Sequence, residues 1–165
     1  MTFDDVIGQK EAKERLTQLI KENRVPHAML FTGPSGTGKL ALAVAFASML
    51  LNPENNPNSS NAKAMLDNFE HPDLHFTYPT IKLPSMSSDY KPVSDDFAQE
   101  WHSLIVRTRY FSLAQWTAKI GDDKKRAIIT AGESESLLHK LSIKSSQGGY
   151  KVSVIWLPEL MNLEC

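Results

Sequence analysis

An α/β architecture, with helices packed on a mostly parallel sheet, is what this sequence predicts, and three observations carry the prediction. Short apolar runs of strand length alternate along the chain with segments of helical period. A glycine-rich loop at 33–39 stands between one of those strand-like runs and a helix-like run. At 165 residues, 41% hydrophobic and 22% charged, the chain is long enough to bury one sizeable core.

The first helix is predicted between positions 9 and 23, where Ala12, Leu16, Leu19 and Ile20 share a face and Glu11 stands four residues before Arg15. Asn23 and Pro26 end it. Ala28, Met29, Leu30 and Phe31 form a strand-length apolar run. Residues 40–51 are apolar without a single charge, and about twelve residues fall well short of the ~20 a bilayer needs, so this is a buried helix. Residues 52–61 are crowded with Asn, Pro and Ser and read as an exposed loop.

Leu74, Phe76 and Tyr78 alternate with His75 and Thr77, which predicts a second strand. Pro79, Pro84 and Pro92 mark a long loop. Ser94 is read as the N-cap of a helix facing inward with Phe97, Trp101, Leu104 and Ile105, and Asp95 and Asp96 suit its first turn. Ser112 caps a shorter helix carrying Leu113, Trp116 and Ile120, closed by Gly121. A further helix carries Leu137, Leu138 and Leu141. Gly148 and Gly149 then turn the chain into a strand over 150–157, which Pro158 ends.

The loop Gly33, Pro34, Ser35, Gly36, Thr37, Gly38, Lys39 fits G-x-x-x-x-G-K-[ST] up to its last position. Its glycines let successive backbone N–H groups face a polyphosphate, Lys39 adds a point charge, and the helix that follows adds its positive dipole end. The next residue is normally the hydroxyl that ligates Mg²⁺. Here it is Leu40, which has no oxygen to offer.

Composition narrows the rest. A net charge of −1 gives no electrostatic reason to expect strong nucleic-acid binding by the segment as a whole. Cys165 is the single cysteine, and no signal peptide or membrane-length run is visible, so the expectation is a cytoplasmic, disulfide-free protein without a membrane partner. His71 and His75 have the spacing of zinc ligands on a helix, but Pro72 disfavours that helix. Trp101, Arg107, Arg109, Tyr110, Phe111 and Trp116 interleave bases with aromatics, yet at helical spacing the tryptophans read as core. Lys124, Lys125 and Arg126 follow Asp122 and Asp123 as a solvated turn. Residues 133–136 alternate acid and hydroxyl and read as the polar first turn of a helix rather than a paired-carboxylate site.

Three blocks in order carry a resemblance: Phe3, Asp4, Asp5, Val6, Ile7, Gly8, Gln9; then Arg24, Val25, Pro26, His27, Ala28; then the run from Leu30 through Lys39. Together they resemble the clamp-loader branch of the AAA+ ATPases. The resemblance implies a P-loop NTPase three-layer core with a mostly parallel sheet. It makes Val6 and Ile7 candidate contacts for an adenine base, and Gly33, Pro34, Ser35, Gly36, Thr37, Gly38, Lys39 and Leu40 candidate contacts for its phosphates.

A fourth block, from Lys151 through Asn162, is similar to the family's Walker B strand. Aligning Met161 and Asn162 with the family ending puts Trp156 where the Mg²⁺-binding aspartate belongs and Leu157 where the water-polarising glutamate belongs. In a rival register Glu159 is the catalytic acid, but it still brings no aspartate for the metal. With Leu40, Trp156 and Leu157 all apolar, the expectation is ATP or ADP bound without hydrolysis, no resident Mg²⁺ and no intrinsic catalysis.

Within the family the best match is the delta-prime branch of the bacterial DNA polymerase III clamp loader, a stator for the catalytic gamma/tau subunits. The implied partners are gamma/tau and delta, and through them the sliding clamp and primed DNA. An active gamma/tau-like motor, or another ATP-dependent enzyme on the same loop, is the alternative. Many relatives carry a four-cysteine zinc module after the buried helix; residues 52–69 hold no cysteine, so no zinc is expected.

Complete family members continue into a sensor strand, an arginine finger, a helical lid and a collar, so the chain is expected to be an N-terminal portion. In the family sheet the sensor strand lies between the phosphate-loop strand and the Walker B strand. Without it, two strand edges are expected to stand unpaired, to be filled by a second copy or to leave the piece unstable.

Overall fold

The computed structural model describes residues 1–52, 59–121, 125–146 and 149–165. Among them the chain is α/β: six α-helices surround a two-stranded parallel sheet. α1 (Lys10–Lys21) ends in a Schellman motif, because Asn23 takes φ 52° and frees two reverse hydrogen bonds. Arg24 N–H donates to Leu19 O at 2.9 Å and Asn23 N–H to Ile20 O at 3.0 Å.

α2 (Lys39–Leu51) is the central post of the fold. A helix apolar all round must be covered all round, and here one side holds Val44 and Ala47 among the aromatic core while the other packs Ala41, Ala45 and Phe46 against Phe3, Val6 and Leu16. Its one polar interior residue, Ser48, is satisfied by donating to Val44 O at 2.9 Å.

α3 (Ser59–Asp67) corrects the predicted loop over 52–61. Residues 53–58 lie outside the described residues, but from Ser59 on the chain is helical, and the reason is the spacing of Ala62 and Leu66, which bury one face completely.

β1 (Leu74–Thr77) and β2 (Val152–Ile155) pair in parallel, Leu74 with Val152 and Thr77 with Ile155. Both strands are shorter than expected. β2 stops where Leu157 turns to φ 58° and Pro158 opens a 3-10 turn. The turn at Gly148 lies outside the described residues; Gly149, at φ 89°, is in the left-handed region.

α4 (Ala98–Ile105) is preceded by a 3-10 turn over Ser94–Phe97, and this corrects the role given to Ser94. The Asp96 carboxylate accepts from Val93 N–H at 2.9 Å, while the buried Ser94 hydroxyl accepts from Tyr78 N–H at 3.0 Å. α5 (Leu113–Lys119) follows its prediction: Ser112 and Gln115 form a reciprocal capping box, with bonds of 3.3 and 2.8 Å. α6 (Ala131–Ser142) carries Leu137, Leu138 and Leu141 as expected; Glu133 is buried, while Leu138 and Leu141 are exposed.

The core is built on rings. Trp101 stacks on Tyr78 at 4.0 Å and meets Trp116 edge-on at 5.3 Å, and Trp116 donates its indole N–H to Pro79 O at 2.7 Å. Both tryptophans are therefore core residues, as their spacing predicts. Arg109 lies over the ring of Phe69 at 5.9 Å.

The apolar run at 28–31 is not in a ladder. β2 has β1 as its one strand partner among the described residues, and 28–31 has none. Both line a groove of about 650 Å³ floored by Leu40, Ala43 and Ala47 of α2 and flanked by Leu137 and Leu141 of α6.

Candidate functional site

The loop at 33–39 takes up the backbone its glycines permit. Gly33, Gly36 and Gly38 have φ of 144°, 81° and 83°, a region in which an L side chain is strained. Thr37 Oγ1 donates to Pro34 O at 2.9 Å, closing the loop, and Gln9 Nε2 donates to Thr37 O at 3.0 Å, tying it to the start of α1. Among the described residues, none accepts from the backbone N–H of Gly36, Thr37 or Gly38. Pro34, Ser35 and Gly36 are exposed. These unpaired donors at the head of α2 are the chemistry an anion would take up.

Lys39 is turned inward on the loop. Its Nζ donates to Gly33 O and to Pro34 O, both at 2.7 Å, so the charge that would meet a phosphate is held by the loop's own carbonyls. Lys39 and the end of β2 at Trp156 line the same groove, which brings the two motif regions together.

Val6 is buried against α2, with Lys13 Nζ donating to its carbonyl at 2.5 Å, and Ile7 is 76% exposed. The two candidate base contacts thus differ: Val6 is a wall of the core and Ile7 a surface. Tyr110 connects them to the loop. Its Oη accepts from Ile7 N–H at 2.8 Å, and its ring lies 3.0 Å from the point where a Cβ on Gly38 would stand.

Leu40 and Trp156, two of the apolar residues at the positions expected for metal ligands, are packed as core. Leu40 is buried in the cluster that also contains Val154 and Trp156. Trp156 meets Phe111 at 5.0 Å and Trp101 at 5.5 Å. Leu157 is partly buried against the same cluster, and Glu159, the acid of the rival register, is exposed on the 3-10 turn Pro158–Leu160. Among the described residues, no group of three or more His, Cys, Asp or Glu is placed to hold a metal ion. His71 sits in the turn before β1, its Nδ1 accepting from Asp73 N–H at 3.1 Å, and His75 sits within β1, so the pair does not share a helix face.

Glu133 has a structural role that its sequence surroundings hide. Its carboxylate, 3% exposed, accepts from Thr77 Oγ1 at 2.9 Å and from Ser94 N–H at 2.6 Å, joining α6, β1 and the turn before α4. No pattern around residues 133–136 signals partners so distant in the chain. Tyr110 is the site residue that sequence reasoning placed only among the interleaved aromatics. Lys125 and Arg126 are exposed, as a solvated turn requires, while Asp122, Asp123 and Lys124 lie outside the described residues.

No helix among the described residues is long and apolar enough to cross a membrane. No solved structure matches the chain. Relatives include the replication factor C small subunit of Archaeoglobus fulgidus, 48% identical over 46 residues, which is 28% of this chain and 14% of that protein. The replication factor C small subunit of Saccharolobus solfataricus is 48% identical over 44 residues, 27% of this chain and 13% of that protein. That of Natronomonas pharaonis is 48% identical over 46 residues, 28% of this chain and 14% of that protein. The chain thus matches about one-seventh of the length of these curated relatives. A family model covers far more of it, from residue 8 to residue 165. The chain belongs to the clamp-loader family described as DNA polymerase III, delta subunit.

Proposed function

We infer that this chain is the nucleotide-binding-like AAA+ module of a delta-prime-type clamp-loader subunit, one that helps load a sliding clamp onto primed DNA without hydrolysing ATP itself. The observation that carries the reading is Trp156. At the strand end where the family's metal-binding aspartate belongs, an indole is packed among Phe111, Trp101 and the core. Phosphoryl transfer depends on Mg²⁺ and positioned donors for most of its charge stabilisation, and Leu40, Trp156 and Leu157 supply neither.

The loop's free N–H groups, Lys39 and the N-terminus of α2 fit a polyphosphate, so the cradle is suited to ATP or ADP held without turnover. When bound, such a nucleotide would add charge and rigidity to the loop. Gly36, Thr37 and Gly38 would hold the phosphates through their backbone, and Ile7 would stand beside the base. The partners proposed are gamma/tau and delta, with the clamp and DNA reached through them.

The test is Mg²⁺-dependent ATP turnover by the full-length protein, alone and assembled with gamma/tau. The isolated subunit is expected to show none, and Lys39→Ala is expected to leave turnover by the assembly largely intact. Turnover in the isolated subunit that Lys39→Ala abolishes would overturn the reading in favour of a motor.

A further inference from the structure

We propose that Tyr110 is an internal occupant of the nucleotide cradle, which an adenine nucleotide must displace in order to bind. The proposal rests on reading 33–39 as a phosphate cradle and goes further by naming what controls entry to it. One side chain bridges both halves of the candidate site. Its hydroxyl oxygen accepts the Ile7 N–H at 2.8 Å, and its ring lies against Gly38, the last glycine of the loop. A purine offers ring-nitrogen acceptors of the kind a backbone N–H recognises, and here a phenol oxygen of the same hydrogen-bonding character takes that donor.

The ring is close enough to Gly38 that a methyl group there would stand 3.0 Å from Cε1. A base or sugar crossing from Ile7 toward the loop therefore meets the ring edge. Lys39 completes the closed state, because its ammonium is already bonded to Gly33 O and Pro34 O.

The segment bearing Tyr110 is anchored by the residue that replaced the metal ligand. Tyr110 N–H donates to Thr108 Oγ1 at 3.1 Å, and the next residue, Phe111, lies edge-on to Trp156 at 5.0 Å and to Trp101 at 5.5 Å. An aspartate at 156 would remove the nearer of the two indole rings that Phe111 packs on. The two features are then one adaptation: Trp156 fills the metal position and, through Phe111, holds Tyr110 across the cradle. Tyr110 itself is 38% exposed, so it can swing out without unpacking the core.

The expected effect follows from competition. If the closed arrangement occupies about nine molecules in ten, the apparent Kd for nucleotide is raised about tenfold, and removing the ring restores that factor. The experiment is calorimetric titration of the full-length protein with ADP in EDTA, for the parent, Tyr110→Ala and Tyr110→Phe. Tyr110→Ala is expected to bind at least tenfold more tightly than the parent, and Tyr110→Phe, which keeps the ring but frees Ile7 N–H, to fall between them. Adding Lys39→Ala to Tyr110→Ala should cancel the gain, locating the binding in the loop.

Equal or weaker binding by both Tyr110 variants, with melting temperatures unchanged, overturns the proposal. So does a parent that binds ADP as tightly as Tyr110→Ala. If Tyr110→Ala melts early, Tyr110→Phe decides alone: tighter binding than the parent supports the proposal and unchanged binding overturns it. Because the titration contains no metal and reads affinity, it can fail while the ATP-turnover test of the stator reading succeeds, or the reverse.

Discussion

Replacing Trp156 with the aspartate that the proposed Walker B register expects there should unfold the domain rather than repair a catalytic site. The indole is 9% exposed. A buried aromatic of this kind removes about 150–250 Å² from water, worth about 4–6 kcal/mol at ~25 cal/mol per Å². Its contacts with Phe111 at 5.0 Å and Trp101 at 5.5 Å add about 0.5–1.5 kcal/mol each. The aspartate would also bring a charge among apolar side chains, with Leu40 and Val154 in the same cluster. Against a typical domain stability of about 5–15 kcal/mol, a loss above ~4 kcal/mol leaves little folded protein. Trp156→Phe, which keeps a ring beside Phe111, should cost only about 1–3 kcal/mol. Urea unfolding of the full-length variants, followed by far-ultraviolet circular dichroism, gives both numbers. Trp156→Asp within ~1 kcal/mol of the parent would refute the reasoning, since the position would then be an open site rather than part of the core.

Glu133→Ala should cost about 2–4 kcal/mol, because the buried Ser94 N–H and Thr77 hydroxyl lose their acceptor; Glu133→Gln should cost less, and chemical denaturation ranks the pair. His75 gives a pH signature: burial first, then the charges of Lys140 and Lys151, hold its imidazole below the ordinary value of 6.5. The unfolded chain therefore takes up this proton before the folded one does. The stability this group contributes is present above pH 6.5 and declines as pH falls toward the lowered folded value, by at most ~1.4 kcal/mol per unit. Melting curves from pH 7.5 to 5 should show the decline, and His75→Gln should flatten it. This chain by itself should self-associate or melt without cooperativity, since Leu30, Leu138, Leu141 and Tyr150 are exposed and β2 has no strand partner besides β1 among the described residues. Light scattering after gel filtration checks this, and a monodisperse monomer with a sharp transition counts against it.

What could be read from the sequence was local. Ser112 and Gln115 announce the start of α5 within four residues, Asn23 announces the end of α1, and both signals operate through short-range hydrogen bonds. The glycines of the phosphate loop are legible for the same reason, since each marks its own backbone conformation. Where the answer depends on a distant partner, the sequence is mute. Met29, Leu30 and Phe31 look like a strand, but a strand needs a neighbour, and the described chain places none beside them. Ser94 looks like a cap, yet Tyr78 and Glu133 recruit it for the core. α3 was hidden by the asparagines and prolines before it, although Ala62 and Leu66 carried its period. Tyr110 had no local signal for its place on Gly38 and Ile7, because both partners lie far from it in the chain.

The parallel pairing of β1 with β2 has a consequence for the order of assembly during synthesis. Leu74–Thr77 emerges from the ribosome long before Val152–Ile155, a wait of several seconds at about 5–20 residues per second. Through that interval β1 has no strand partner, but Phe76 and Tyr78 can already meet Trp101. Arrested nascent chains ending before Val152 should therefore show Trp101 shielded from a soluble quencher while β1 amides still exchange freely. The rings act as a placeholder for a sheet not yet made, and Trp156 closes the assembly last.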